Sequence, residues 1–334
     1  MKFLIKTIFF IVFLVILIPA VYLIVILNQK IDAQSEVIVN IPNNTSVNGV
    51  VNILNKNNIF KPSIVFKPFL KIYSTLLKEK LYVGTYKFST DNTNYDIIRA
   101  IFSGKQRYIV KVTYPEGITL KEFAAITSKN LGIDAQEFIE YAKSDSILKA
   151  YKIPAKTPEG YLMPQTYFFY WKQPVADVVN KLLTLQQTNW NEKFRDLTKK
   201  SVWTKHEILT LASIVEAESP VPSERPLIAG LYLNRLRIGM RLEADPTVKY
   251  ALGGKKRILY KDLEVESPYN TYRNTGLPPG PINSPSLSSI ASVLSPEKNN
   301  YIYFVAVGDG TGRHNFARTY SQHLQNKAKY KKNL

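Results

Sequence analysis

Residues 7–27 carry no charge and are almost wholly Ile, Leu, Val and Phe. At 1.5 Å per residue, about twenty such residues cross the hydrocarbon core of a bilayer. Two rival readings are a buried helix of a soluble protein and a cleaved leader. A leader has an apolar region of roughly 7–15 residues ending in a small-x-small site. Here Pro19-Ala20-Val21-Tyr22 is followed by more apolar residues. One uncleaved span over residues 7–27 is therefore expected. Lys2 and Lys6 precede it, and Lys30, Asp32 and Glu36 follow. The positive-inside rule then puts residues 1–6 in the cytoplasm and the body of the chain outside.

Beyond the span the period changes. Residues 35–41 alternate, with Val37 and Val39 on one face and Ile38 and Asn40 on the other, as a strand does. Residues 46–54 set Val50, Ile53 and Leu54 at helical spacing. Residues 81–88 predict a second strand, and 95–102 a helix that Ser103-Gly104 ends. Together these make a small α+β module over residues 35–105. A larger α+β domain is expected over 106–334. It opens with a strand at 108–114, turned by Pro115-Glu116-Gly117, and short helices at 120–129 and 136–142. Residues 157–168 are aperiodic and hold a glycine, prolines and aromatics, which predicts a shaped loop before an amphipathic helix at 175–190. Thr204-Lys205-His206-Glu207 has the form of a capping box, Thr at the cap and Glu three residues on. The helix it opens carries Ile208, Leu211, Ala212 and Val215, and Pro220 and Pro222 end it. Residues 225–237 form another amphipathic helix closed by Gly239. Residues 301–307 read as a buried strand, followed by the tight turn Gly308-Asp309-Gly310-Thr311-Gly312.

Composition narrows the chemistry. The absence of cysteine removes disulfides, thiol nucleophiles and cysteine-bound zinc. A net charge of +18 fits either a polyanionic partner or simply a solvated basic surface. No nucleic-acid motif accompanies it. His206, His314 and His323 have no metal-ligand spacing, and no GxSxG elbow, GxGxxG or P-loop is present. Neither a metal nor a cofactor is expected. What remains is carboxylate chemistry on a glycan, or binding alone.

Glu216 and Glu218 stand at the end of the capped helix. Two positions on a helix are separated by roughly 200°, so the pair cannot act together on one bond. Glu218 falls in register with Leu211, Ile214 and Val215 on the apolar face. It also lies in the last turn, where the helix dipole disfavours a negative charge. Both effects raise a carboxyl pKa, as a general acid needs. The bland alternatives are a surface glutamate at a fraying end, or an arginine's ion-pair partner. Glu216 stacks over Ala212 and Ser213, and is expected to matter much less. Asn234-Arg235, Asp245-Pro246-Thr247, Ser267-Pro268-Tyr269-Asn270-Thr271-Tyr272 and the proline-rich run 276–282 offer amides, hydroxyls and aromatics suited to sugar. Such loops also serve as plain connections.

In these residues the chain resembles the endolytic murein transglycosylase family (YceG-like, MltG). The resemblance runs through Glu116-Gly117, Glu159-Gly160-Tyr161-Leu162, 211–218, 234–242, Asp245-Pro246-Thr247, 267–272, 276–282 and 301–305, and extends over nearly the whole chain. It implies a LysM-like module of strand–helix–helix–strand order at 35–105 and a catalytic domain at 106–334. The implied reaction cleaves the β-1,4 bond between N-acetylmuramic acid and N-acetylglucosamine and leaves a 1,6-anhydro end. The family's catalytic glutamate corresponds to Glu218. Glu159, Tyr161, Asn234, Arg235, Asp245, Thr247, Tyr269, Asn270 and Tyr272 are the substrate-binding candidates. Gln165 stands where the family's loop typically has aspartate. Expected partners are peptidoglycan glycan strands, the membrane and peptidoglycan synthases, with no role for nucleic acid.

Overall fold

The computed structural model describes the chain apart from residues 1, 32–34, 43, 60–62, 78–80, 200, 255–256 and 334, and the side chains of 2–4, 63–65 and 77. The protein is an α+β chain that opens with an apolar helix, α1 (Lys2–Asn28), long and apolar enough to cross a membrane. By contacts it divides into two compact units. One is Met1–Val110 with Phe168–Gln173; the other is Lys111–Tyr167 with Pro174–Leu334.

In the first unit, β1 (Val37–Ile41) is followed by α2 (Val47–Lys56), α3 (Ser63–Leu77), β2 (Gly84–Phe88) and α4 (Asn94–Ser103). The two strands pair antiparallel, Val37 opposite Phe88 and Ile41 opposite Gly84. The alternation expected of residues 35–41 is realised: Val39 and Ile41 are buried while Ile38 and Asn40 are exposed. Ser46 caps α2, and α4 has a full capping box between Thr93 and Asp96. The core unites Val50, Val51, Leu54, Phe66, Leu70, Tyr86, Phe88, Ile97 and Ile101. Ile26, near the end of α1, belongs to the same core. The buried amide of Asn94 donates to the Ile26 carbonyl at 2.8 Å, and the Asn94 backbone N–H to that of Gln29 at 3.0 Å. The apolar helix is thus joined to this unit by packing and hydrogen bonds. α3 was not delimited by sequence period; Pro68 lies inside it.

β3 (Ile109–Thr113) pairs with β4 (Thr166–Tyr170) in a second two-stranded ribbon. Between them come α5 (Leu120–Leu131), α6 (Ala135–Ala142) and α7 (Asp145–Ala150), and after them α8 (Val175–Asn189) and the single turn α9 (Arg195–Thr198). The remainder of the second unit carries the site. α10 (Lys205–Glu218) has the expected capping box, Thr204 with Glu207. It packs on α11 (Arg225–Arg237), α12 (Asp245–Ala251) and α13 (Leu287–Leu294). α10 is buried without a break from Ile208 to Val215, so this helix runs through the interior and reaches its open end only at Glu216–Glu218. Asp245-Pro246-Thr247, expected in a loop, instead starts α12, with Asp245 in its first turn and the proline at its N-terminal positions.

The last ribbon pairs β5 (Tyr303–Ala306) with β6 (His314–Ala317), Phe304 opposite Phe316 and Ala306 opposite His314. α14 (Tyr320–Asn333) packs against it. The buried strand expected here is half-buried at every position of β5.

Candidate active site

Glu218 is the final residue of α10; Ser219 follows in extended conformation, and Pro220 cannot extend the helix. The residue as a whole is half-buried, but its carboxyl is enclosed by neighbouring atoms. One oxygen accepts a 2.8 Å hydrogen bond from the Tyr232 hydroxyl of α11. Burial pushes its pKa up to about 7; the Tyr232 bond opposes the shift, the negative charge of Asp245 adds to it, and Arg235 opposes it. The expected direction holds, and burial is its main cause. Among the described residues no cation is bonded to Glu218. The Arg235 guanidinium is directed at main chain, to the carbonyls of Ile302 at 2.7 Å and Leu242 at 2.6 Å. It therefore acts on Glu218 through its field and not through a bond.

Glu216 is different in kind. Its carboxylate meets the Arg225 guanidinium at 2.8 Å, with both side chains almost fully buried. The other oxygen accepts from the Ser286 N–H at 2.9 Å and from the Ser286 and Ser289 hydroxyls. Glu216 faces away from Glu218, into a buried polar network that fastens α10 to α11 and α13. Glu116-Gly117 lies on the same network. A side chain at Gly117 would touch Glu216, and Glu216 contributes to raising the pKa of Glu116 after burial does.

The nine binding candidates divide into three groups. Asp245 and Tyr272 join Glu218: the Tyr272 hydroxyl donates to Asp245 at 2.6 Å, and both act electrostatically within this group. Glu159 and Tyr269 form a second group with Tyr250 of α12. Glu159 accepts from the Leu120 N–H at the start of α5 at 2.8 Å and from the Tyr250 hydroxyl at 3.4 Å. Burial raises its pKa to about 7. The Tyr250 and Tyr269 rings lie 4.9 Å apart. Tyr161 is buried, its hydroxyl 3.0 Å from His206 Nδ1. Gly160 has φ +79°, and a Cβ there would stand 2.4 Å from Pro281, so the loop 157–168 approaches the proline-rich run more closely than any side chain permits.

The third group is occupied by main chain. Asn234 donates to the carbonyls of Asn299 at 2.9 Å and Tyr301 at 3.0 Å. Asn270 donates to Leu263 and Val265. Thr247 donates to Ala244 and meets the Thr271 hydroxyl. These three shape the loops around the site, and Arg235 does so as well. Sequence reasoning missed Tyr232, Tyr250 and the pair Glu224–His314. The available signal was Tyr232 itself: a tyrosine within an apolar helical run needs a partner for its hydroxyl once buried.

Known proteins resemble this chain over most of its length. The model of the YceG-like family matches residues 39–329. A Bacillus subtilis protein named endolytic murein transglycosylase is 34% identical over 317 residues, covering 90% of this chain and 86% of that protein. A Streptococcus pneumoniae protein of the same name is 29% identical, covering 90% of this chain and 60% of its own length. The crystal structure of a yceG-like protein from Listeria monocytogenes superposes with a TM-score of 0.61 at 32% identity, over 88% of this chain and 99% of that one. The chain belongs to the YceG-like family.

Proposed function

We propose that this protein is an endolytic lytic transglycosylase that cuts peptidoglycan glycan strands between N-acetylmuramic acid and N-acetylglucosamine. The name carried by its relatives supports the reaction class. The single observation that carries it on this chain is Glu218, whose carboxyl has its pKa pushed to about 7 and, among the described residues, no bonded cation to hold it ionised. Protonated Glu218 gives its proton to the bridging oxygen as the C1–O bond breaks, and the leaving sugar departs as an alcohol. Positive charge develops on C1 and the ring oxygen, and the Asp245 carboxylate supplies negative potential nearby. The substrate's C6 hydroxyl then closes on C1 while its proton passes to Glu218. The carboxyl returns to its starting state and no water is consumed. A hydrolytic glycosidase needs a second carboxyl as nucleophile or base; an internal hydroxyl removes that need. A pKa near the working pH serves both halves of such a cycle.

In the same reading α1 is a single-pass anchor with its N-terminus in the cytoplasm and residues 106–334, the catalytic domain, outside. Residues 35–105 act as a LysM-like module that binds or orients glycan without chemistry; the order β1–α2–α3–β2 supports this. Strands being released by peptidoglycan synthases are the natural substrate. The test is mass spectrometry of products from purified protein and peptidoglycan. Anhydro ends, lighter than reducing ends by one water, are expected. Reducing ends would identify a hydrolase, and intact strands a binding protein. A reporter fused after Leu334 that works only in the cytoplasm would overturn the topology.

A further inference from the structure

The ribbon β5–β6 has two unlike faces. Tyr303, on one, packs against α14 through Tyr320 and His323, with ring centroids 5.9 and 5.2 Å apart. The register puts Phe304, Ala306, His314 and Phe316 together on the other. There the Phe304 and Phe316 rings stack at 6.3 Å and 24°, and His314 stands edge-on to Phe304 at 5.3 Å. Phe304 and Phe316 are half-buried, while the His314 side chain is only 10% exposed, so the part of this face open to solvent is mainly the two phenyl rings.

Three contacts fix this face beside Glu218. Phe304 meets Tyr232 edge-on at 5.9 Å and 87°, and Tyr232 is the residue bonded to Glu218. Glu224, six residues beyond Glu218, grips His314 twice: one oxygen accepts the His314 backbone N–H at 3.1 Å and the other lies 2.9 Å from Nδ1. In the turn joining the strands, Gly312 has φ +71°, and a Cβ there would stand 2.9 Å from Pro220. Beside the Glu224 carboxylate, Nδ1 carries a hydrogen and donates it, so Nε2, at the opposite edge of the ring, is left as the acceptor. Among the described residues Nε2 has no hydrogen-bond partner, and it is not among the sealed, unsatisfied atoms, so it reaches solvent.

We infer that the open face of β5–β6 is a sugar-binding platform adjoining Glu218, on which Phe304 and Phe316 stack against one amino-sugar ring of the glycan while His314 Nε2 bonds a polar group on that ring. This rests on the transglycosylase reading and adds a subsite to it. Apolar C–H faces of a pyranose complement aromatic rings, and a fixed imidazole supplies the directional contact that orients the ring. The face runs into the Glu218 site through Tyr232, so a strand seated at the carboxyl is the occupant whose next ring lies over it. Glu224 is then a positioning residue for His314 and does not touch the sugar.

The test uses full-length Glu218→Gln protein, which holds glycan without cutting it, and undecorated glycan oligomers of increasing length. In that background Phe316→Leu and His314→Gln are conservative enough to keep the fold, which the thermal transition checks. We expect each to weaken binding of long oligomers by about ten-fold, the loss of one good stacking or polar contact, and to leave the shortest oligomers unchanged. In the active protein the same changes should raise KM and leave kcat nearly unaltered. Equal affinities for parent and variants at every length would overturn the platform and leave the reading of Glu218 standing. A parent that binds no glycan, with a wild type that cuts none, would overturn both.

Discussion

Two glutamates, two residues apart on one helix, occupy opposite environments. Glu216 is matched by an arginine and three donors from two serines, almost wholly out of solvent. Glu218 has one tyrosine hydroxyl and a neighbouring negative charge. The first environment is complementary to a carboxylate; the second favours the neutral acid. The helical angle between positions 216 and 218 sends them to different neighbours. One glutamate then fastens the helix, and the other is the one the proposed reaction uses to exchange a proton.

The sharpest way to break this comparison is Glu218→Gln. Glutamine keeps the shape and cannot exchange a proton, so cleavage should fall by about 10²–10⁴-fold or more, measured as anhydro ends formed per unit time. Stability should move the other way. The folded pKa of Glu218 is raised to about 7 from an ordinary 4.5. Its contribution is therefore fully present below about pH 4 and is lost as pH rises through 7. A neutral glutamine does not suffer that loss. Chemical denaturation at pH 8 should show the variant more stable by ~1–3 kcal/mol, and near pH 4 the two proteins should coincide. A variant less stable than wild type at pH 8 would mean that Glu218 belongs with Glu216 as a structural group.

Glu216→Gln should invert the result. Removing one partner of a buried ion pair leaves Arg225 uncompensated, which destabilises by roughly 3–5 kcal/mol. For a unit of this size that is about 6–20 °C in Tm. Activity per folded molecule should stay within a few-fold of wild type below the transition. Calorimetry and a turnover assay on the same sample check both halves. A stable but inactive Glu216→Gln protein would break the division of labour.

Much of this was legible in the sequence, for identifiable reasons. The capping box, the apolar register and the prolines placed the open end of α10 at Glu218, because those signals are local. The 35–41 alternation was likewise readable from period alone. What stayed hidden depends on distant partners. Nothing near Glu216 announces Arg225, Ser286 and Ser289, which reach it from two other helices. Asn234 and Asn270 have the chemistry of sugar ligands, yet their amides are engaged by carbonyls 65 and 7 residues away. Residue type gives the capacity to bond; only the fold decides the partner. The same limit made β5 read as buried, since four apolar residues do not reveal that α14 covers one face alone.

The smallest effects sharpen the comparison most, because they tune Glu218 without removing it. The Tyr232 hydroxyl bond favours the ionised carboxylate, and the Asp245 charge disfavours it. Tyr232→Phe should therefore raise the pKa of Glu218, and Asp245→Asn should lower it. In a pH–rate profile the alkaline limb reports loss of the protonated acid. It should move up with Tyr232→Phe and down with Asp245→Asn, each by about half a unit to one unit. At the optimum the Tyr232 variant should lose only a few-fold in rate, since the phenyl ring still packs against Phe304. Asp245→Asn should lose more, because it also withdraws negative potential from the developing sugar cation and leaves Tyr272 a weaker, uncharged acceptor. Opposite displacements of one limb by two neutral substitutions cannot arise from general loosening of the site, which would move both the same way. If both variants shift the limb alike, or neither does, the group that titrates in turnover is not Glu218.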